Sequence, residues 1–307
     1  MKTRRVLLIA DVEGWAYDII AKSIANRFRK YLAEIVYFRD LIDGKVTVNT
    51  EEYDVIFAFF WYDMFLRGNL LGSLDSTKVC VDVQSHNSWM KRQIKVSEVE
   101  EILKQFSAIG FSSKKLMRKF PDLDFKFYTP SGFDPIRFRP SPMPRYDGKL
   151  KICWAGDPES SHHGDVKGYY EYILPAIERF NDVELITASK QNRIPHNQMG
   201  SFYSQGHIYL NFSSSEGTPM PLLESMACGR AVITTNVGIS EEVVNSENGW
   251  IVPRKIDDLV SAIEDSKNKL SQLQEMGLRA FKAVENRTDD WSAMYYEKLF
   301  DAVYDKR

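Results

Sequence analysis

The stretch that decides the fold reads Ser213-Ser214-Ser215-Glu216-Gly217-Thr218-Pro219-Met220-Pro221-Leu222-Leu223-Glu224-Ser225-Met226-Ala227-Cys228-Gly229. It follows the apolar run Ile208–Phe212, a strand pattern, and opens a helix pattern. Thr218 suits the N-cap, Pro219 the first helical position and Gly229 the C-terminal stop. In an open parallel sheet, ligands collect outside the carboxyl ends of the strands. A helix start at that place offers unpaired N–H groups and the positive end of a dipole, which suits a phosphate. Glu216 lies in the loop, and Glu224 lies roughly 8 Å further along the helix at 1.5 Å per residue. Carboxylates are poor phosphate ligands but good acceptors for sugar hydroxyls. Spacing alone also fits a capped helix carrying two solvated glutamates.

Working outward, the same strand–helix rhythm fills both sides. Downstream come strand Ala231–Thr235, a helix near Ile256–Asn286 and an amphipathic stretch Trp291–Tyr304. Upstream lie strands Lys151–Ala155 and Val183–Thr187, with helix Tyr169–Phe180. Before them the rhythm breaks at Thr129-Pro130-Ser131-Gly132-Phe133-Asp134-Pro135, then Pro140, Pro142 and Pro144. This holds five of the twelve prolines, and regular structure cannot run through it. The first half reads as strand Val6–Ala10, helix Tyr17–Tyr31, and strands Glu34–Phe38, Val55–Phe60 and Lys78–Gln84, then helix Val96–Phe106 and strand Ala108–Ser112. Such alternation predicts α/β architecture: two doubly wound, Rossmann-like parallel sheets facing a cleft. The expected boundaries are 1–140 for the first domain and 148–287 for the second, with a last amphipathic helix over 289–307.

The 307 residues fit two domains at about 150 residues each. Forty basic against forty-two acidic residues leave a net charge of -2, which argues against a nucleic-acid partner. The longest apolar run, Val55–Trp61, is far short of the ~20 residues of a membrane span. Cys80, Cys153 and Cys228 are scattered without a CxxC, as free thiols of a cytoplasmic protein would be. Lys114, Lys115, Arg118 and Lys119 form a basic face, either solvated or in peripheral contact with acidic lipid.

Glu216 and Glu224, seven residues apart within Glu-Gly-Thr-Pro-Met-Pro-Leu-Leu-Glu, resemble the E-x7-E signature of retaining GT-B glycosyltransferases (glycosyl transferases group 1). Ser131–Pro140, Lys151–Gly156 with Lys167-Gly168, Ala231–Gly238 and Glu247–Pro253 resemble further segments of that family in order. The resemblance implies transfer of a sugar, in the manner of a hexosyltransferase, from a nucleotide diphosphate donor to a hydroxyl acceptor. That acceptor would be a sugar, a glycolipid or another alcohol, bound by the first domain, while the second binds the nucleotide sugar and the last helix, 289–307, crosses back to complete the first. It also implies that no metal or other cofactor is needed, the donor's own phosphate assisting the attack. On the same ground Glu224 would bind the donor ribose and Glu216 would face the transferred sugar. Amides around Gly217, Thr218, Met220 and Leu222 would hold the diphosphate, with Lys167 as cation and Gly156 beside it. Gly14, after the first strand, and His86, after Lys78–Gln84, correspond to a glycine loop and a histidine near the reacting centre. The family's arginine after Gly156 is Asp157 here, and Lys190 is the candidate for the missing charge. Ser160 to Asp165 includes His162 and His163, whose flanking Ser and Gly read as a loop and not as a metal set. Two other readings share these residues: a nucleotide-sugar-binding protein of this fold with little transfer, and a GT-B sugar epimerase.

Overall fold

The computed structural model describes residues 3–67, 77–90, 92–158 and 165–306. The chain divides into two compact units, residues 1–132 with 289–307, and residues 133–288. Each is built on a parallel sheet covered by helices.

The first unit contains β1 (Arg4–Ala10), β2 (Tyr31–Tyr37), β3 (Val55–Ala58), β4 (Val79–Val83), β5 (Ala108–Phe111) and β6 (Lys126–Tyr128). They line up in the order β2-β1-β3-β4-β5-β6, each neighbour parallel. Strand order reverses between β1 and β3, so the crevice of this sheet lies beyond their carboxyl ends. Val6 to Ala10 are completely buried, with Leu7 and Ile9 in one core and Val6 and Leu8 in the other. Burial on both faces explains why the strand is apolar without alternation.

The first helix is shorter than its spacing predicts, Ala16–Ala25. Tyr31, which continues the helical spacing of Ile24 and Phe28, instead opens β2 opposite Arg4. The turn before it is fixed from outside: the N–H groups of Arg29 and Lys30 both donate to Glu297 Oε1 at 2.7 Å. The Tyr31 ring then meets Phe300 edge-on at 5.4 Å.

Glu297 and Phe300 belong to the C-terminal helix Asp289–Tyr304, which is part of the first unit. Its buried apolar side chains are Ala293, Tyr296, Leu299, Phe300 and Val303, packed with Ile20, Ile24 and Phe57. Helical spacing in the sequence puts Trp291, Met294, Tyr295, Leu299 and Val303 on one apolar face, and the buried face is rotated from it. Met294 is 46% exposed, and Trp291 and Tyr295 leave the core to pack on Tyr128 of β6. That strand, Lys126–Tyr128, is three residues long, too short to show a pattern of its own.

Asp82 in β4 is fully buried among Thr129, Gln84 and Tyr296, whose polar groups donate to it at 3.0, 2.6 and 3.3 Å. Burial outweighs these bonds and pushes its carboxyl up to about 7. The folded value lies above the unfolded one, so the stabilising contribution is complete below about 4 and lost as pH rises through 7. At 1.36 kcal/mol per unit, the rise from 3.8 to about 7 makes the full loss on the order of 4 kcal/mol. Denaturant melts of the first unit at pH 5 and pH 8 should differ in the wild type and converge in Asp82→Asn. Equal pH dependence in both would remove Asp82 as the source.

The second unit carries β7 (Leu150–Ala155), β8 (Val183–Ala188), β9 (Ile208–Asn211), β10 (Ala231–Thr234) and β11 (Gly249–Ile251), in the order β11-β10-β9-β7-β8. Its switch point lies between β7 and β9. The unit begins inside the proline-rich run, because Phe133 and Phe138 are buried in its core. Arg230, also fully buried, holds the run down through the carbonyls of Ser141 and Pro142, each at 3.0 Å. The helix expected over Ile256–Asn286 is two, Ile256–Asn268 and Leu273–Val284, joined through a single turn at Leu270–Gln272. The break lets the second helix approach the helix Met220–Ala227. Gly277 there lies so near Gly229 that a Cβ would stand 2.1 Å from its carbonyl oxygen.

Candidate functional site

Beyond the ends of β7 and β9, the loop 212–219 leads into the helix Met220–Ala227. The loop is anchored on both sides. Ser214 N–H donates to Val166 O at 2.8 Å, and a Cβ on Gly238 would stand 2.0 Å from Gly217 O. Gly238 has φ +52, so glycine is required there for conformation and for space.

The helix start differs from expectation. Its N-cap is Pro219, which offers no side-chain cap, and proline occupies the second helical position as Pro221. Thr218 precedes the cap. The N–H groups of Leu222 and Leu223 both turn back to Pro219 O, and the Leu222 side chain is in the core, so Leu222 is not part of an anion site. Among the described residues, no hydrogen bond engages the N–H of Gly217 or Met220, and Ser215 Oγ is buried without a partner. Lys167 Nζ lies 2.6 Å from Glu216 Oε1 in this loop, with the carboxylate largely covered. Glu216 thus holds Lys167 in an ion pair one residue before the unused Gly217 amide.

Glu224 faces a different set. It is 3% exposed, and both oxygens are taken: Tyr203 OH donates to Oε2 at 2.7 Å and His196 Nε2 lies 3.0 Å from Oε1. Arg137 Nη1 approaches the other ring nitrogen, Nδ1, at 2.6 Å. A guanidinium can only donate, so Nδ1 accepts and the imidazole proton sits on Nε2, toward the glutamate. Burial, followed by the charge of Glu224, raises the Tyr203 phenol far above its usual range and keeps it a donor. Each carboxylate oxygen retains a free lone pair for a further donor.

Other expected residues scatter. Gly156 follows β7 and is kept side-chain-free by Trp154, whose ring would be 2.9 Å from a Cβ. Lys190 is exposed and pairs with Asp157 at 2.6 Å, so its charge is spent on the residue it would have to compensate. Gly14 and His86 lie in the first unit. Gly14 (φ +78) closes the turn after β1 and its N–H donates to Asp18 Oδ2 at 2.8 Å, while the His86 ring sits 6.1 Å from Trp89. His162 and His163 lie outside the described residues, and among the described ones no three His, Cys, Asp or Glu side chains converge as a metal site. No helix among them is long and apolar enough to cross a membrane.

Arg137, His196 and Tyr203 were not singled out from sequence. Arg254 was not either: it spans Phe212 O and Asp165 O with its guanidinium 4.2 Å above the Tyr172 ring. It lines a cavity of about 490 Å³ beyond β9, β10 and β11, with Ser213, Thr235, Asn236 and Ile251.

Residues 164–267 match the family described as glycosyl transferases group 1. The chain is 35% identical over 71 residues to the phosphatidylinositol N-acetylglucosaminyltransferase subunit of Arabidopsis thaliana, 23% of this chain and 16% of the relative. It is 30% identical over 87 residues to the GtfA subunit of the UDP-N-acetylglucosamine–peptide N-acetylglucosaminyltransferase of Streptococcus agalactiae, 26% of this chain and 17% of the relative. The matched stretch thus spans about a sixth of these curated relatives. In three dimensions the chain is similar to sucrose-phosphate synthase of Thermosynechococcus elongatus, with a TM-score of 0.74, 14% identity, 99% of this chain and 100% of that one. It is also similar to Anabaena HepE in complex with UDP and glucose, with a TM-score of 0.70, 13% identity, 96% of this chain and 98% of that one. The chain therefore has the two-domain, Rossmann-like GT-B fold, and residues 164–267, within its second unit, match the group 1 glycosyl transferase family.

Proposed function

We propose that the protein is a retaining glycosyltransferase that moves a sugar from a nucleotide diphosphate donor to a hydroxyl acceptor. The observation that carries this is the anion position at the β7/β9 switch point: unused amides of Gly217 and Met220 beside Lys167, with two carboxylates flanking it in the E-x7-E arrangement. In this reading the amides and Lys167 take the diphosphate. Glu224, held by Tyr203 and His196, accepts from the ribose hydroxyls. Glu216 orients Lys167 and faces the transferred sugar. The Anabaena neighbour holds UDP, which makes a uridine nucleotide the first donor to try.

Thermal melts with UDP, GDP, ADP and their sugar conjugates test the reading. A nucleotide at 100 times its Kd raises stability by ~2.7 kcal/mol. NMR of the transferred sugar should show the donor's anomeric configuration kept, and inversion would end the retaining assignment. The Asp157–Lys190 pair favours a second reading, a binding protein with little turnover, because the diphosphate then has one cation fewer. Nucleotide binding without transfer or donor hydrolysis would select it.

The two ends of the Lys167–Glu216 pair should separate by kinetics. Lys167→Ala should weaken diphosphate binding by ~1.5–3 kcal/mol, the usual worth of a hydrogen bond to a charged group. Glu216→Gln should leave nucleotide affinity nearly unchanged and lower kcat and kcat/KM together. Wild-type kcat in Glu216→Gln would leave it only the task of holding the loop.

A further inference from the structure

In the first unit β6 is the outermost strand of the sheet. The short helix Lys114–Met117 precedes it, and the C-terminal helix Asp289–Tyr304 packs beside it. Residues 114–126 hold five basic and two acidic side chains, a net charge of +3 within a chain whose net charge is -2. Lys114, Arg118 and Lys119 are exposed. Burial, and then the charges of Lys119 and Arg118, hold the half-buried Lys115 ammonium below its usual range. The cations of this face crowd one another, and an apposed negative surface relieves the repulsion.

A run of rings continues the face. Lys114 Nζ stands 5.9 Å from the centre of the Tyr128 ring, which meets Trp291 at 6.2 Å and Tyr295 at 5.4 Å. Lys298 Nζ closes the run, 4.6 Å from the centre of the Tyr295 ring. Trp291, Tyr295 and Lys298 are three or four positions apart on the C-terminal helix and share one of its faces with Met294, which is 46% exposed.

The geometry of the rings selects the partner. Tyr128 crosses Trp291 at 78° and Tyr295 at 80°, and Trp291 crosses Tyr295 at 60°. They present no coplanar faces on which successive bases of a single-stranded nucleic acid could stack. Trp and Tyr beside lysines are instead the set that settles between lipid headgroups and acyl chains, where no stacking is needed. Among the described residues no helix is long and apolar enough to cross a membrane, so the contact runs along the surface.

We propose that this face of the first unit docks on a bilayer carrying anionic lipid, with Lys114, Arg118 and Lys119 on the headgroups and Trp291 and Met294 at the acyl boundary. Docking of this kind is independent of the transfer reaction proposed above.

Co-sedimentation of the full chain with vesicles tests it, using phosphatidylcholine alone and an equal mixture of phosphatidylcholine and phosphatidylglycerol. Binding should require phosphatidylglycerol and weaken ~10-fold or more from low salt to 1 M salt, where screening acts within ~3 Å. The double reversal Lys114→Glu/Arg118→Glu should weaken it ~25-fold or more, at roughly fivefold per basic residue near an anionic leaflet. Thermal melts of that variant should stay near wild-type values, because both side chains are exposed. Phosphatidylglycerol brominated in its acyl chains should quench tryptophan fluorescence in the wild type and far less in Trp291→Phe. No binding, equal binding to phosphatidylcholine alone, indifference to the double reversal, or quenching that persists in Trp291→Phe overturns the proposal. Capture of heparin, a soluble polyanion, without capture of vesicles overturns it too.

Discussion

Alanine at Glu224 is expected to cut nucleotide affinity ~10- to 150-fold, equivalent to the ~1.5–3 kcal/mol of hydrogen bonds to a charged group. It should also destabilise the second unit. The Tyr203 hydroxyl, fully buried, would lose its acceptor, and leaving such a group unpaired costs about 1–3 kcal/mol. The loss at His196 is smaller, because that side chain is 35% exposed and water can replace the glutamate. The two consequences can be separated. Tyr203→Phe removes the buried donor and leaves the carboxylate, so it should keep most of the nucleotide affinity. Calorimetry with UDP on both variants, after each is shown to be folded, gives the comparison. Unchanged affinity in folded Glu224→Ala would place the ribose elsewhere.

The same residues show where sequence reading reached and where it stopped. The loop from Ser213 to Gly229 was legible because its signals are local: a strand, a glycine, prolines at a helix start and a glycine at its end. Placing the helix start on Thr218 failed by one residue, because proline can serve either as cap or as first helical residue and nothing nearby chooses. The partners of Glu224 were not legible at all. His196 and Tyr203 lie 28 and 21 positions away, and Arg137 a further 59 from His196, so only the folded sheet assembles the set. Tyr31 shows the converse error. Its spacing from Phe28 is helical, yet Glu297, 268 positions from Arg29, captures the turn and makes Tyr31 a strand residue. Lys190 had the right charge, and its exposed position beside Asp157 spends it.

Ending the chain at Thr288 should unfold the first unit while leaving the second folded. The removed helix, Asp289–Tyr304, buries Tyr296, Leu299, Phe300 and Val303 against the first sheet. At ~1.5–3 kcal/mol per buried large side chain, these four contribute ~6–12 kcal/mol. That is comparable to the ~5–15 kcal/mol that holds a whole domain together. The truncation also strips Glu297 from the Arg29 and Lys30 amides and the Tyr296 hydroxyl from buried Asp82. The ion pairs of Asp301 with Arg4 and Lys30 would go too, but they are partly solvated and add little. The second unit, residues 133–288, loses none of its own core. Phe300→Ala gives the same effect in milder form, ~3–5 kcal/mol for a large core side chain, with the chain otherwise whole. Amide hydrogen exchange reads the outcome strand by strand. Protection should vanish across β1–β5 in the truncated chain and persist in β7–β10. If β1 and β3 keep wild-type protection without the helix, the first sheet is stable on its own and the helix only covers it.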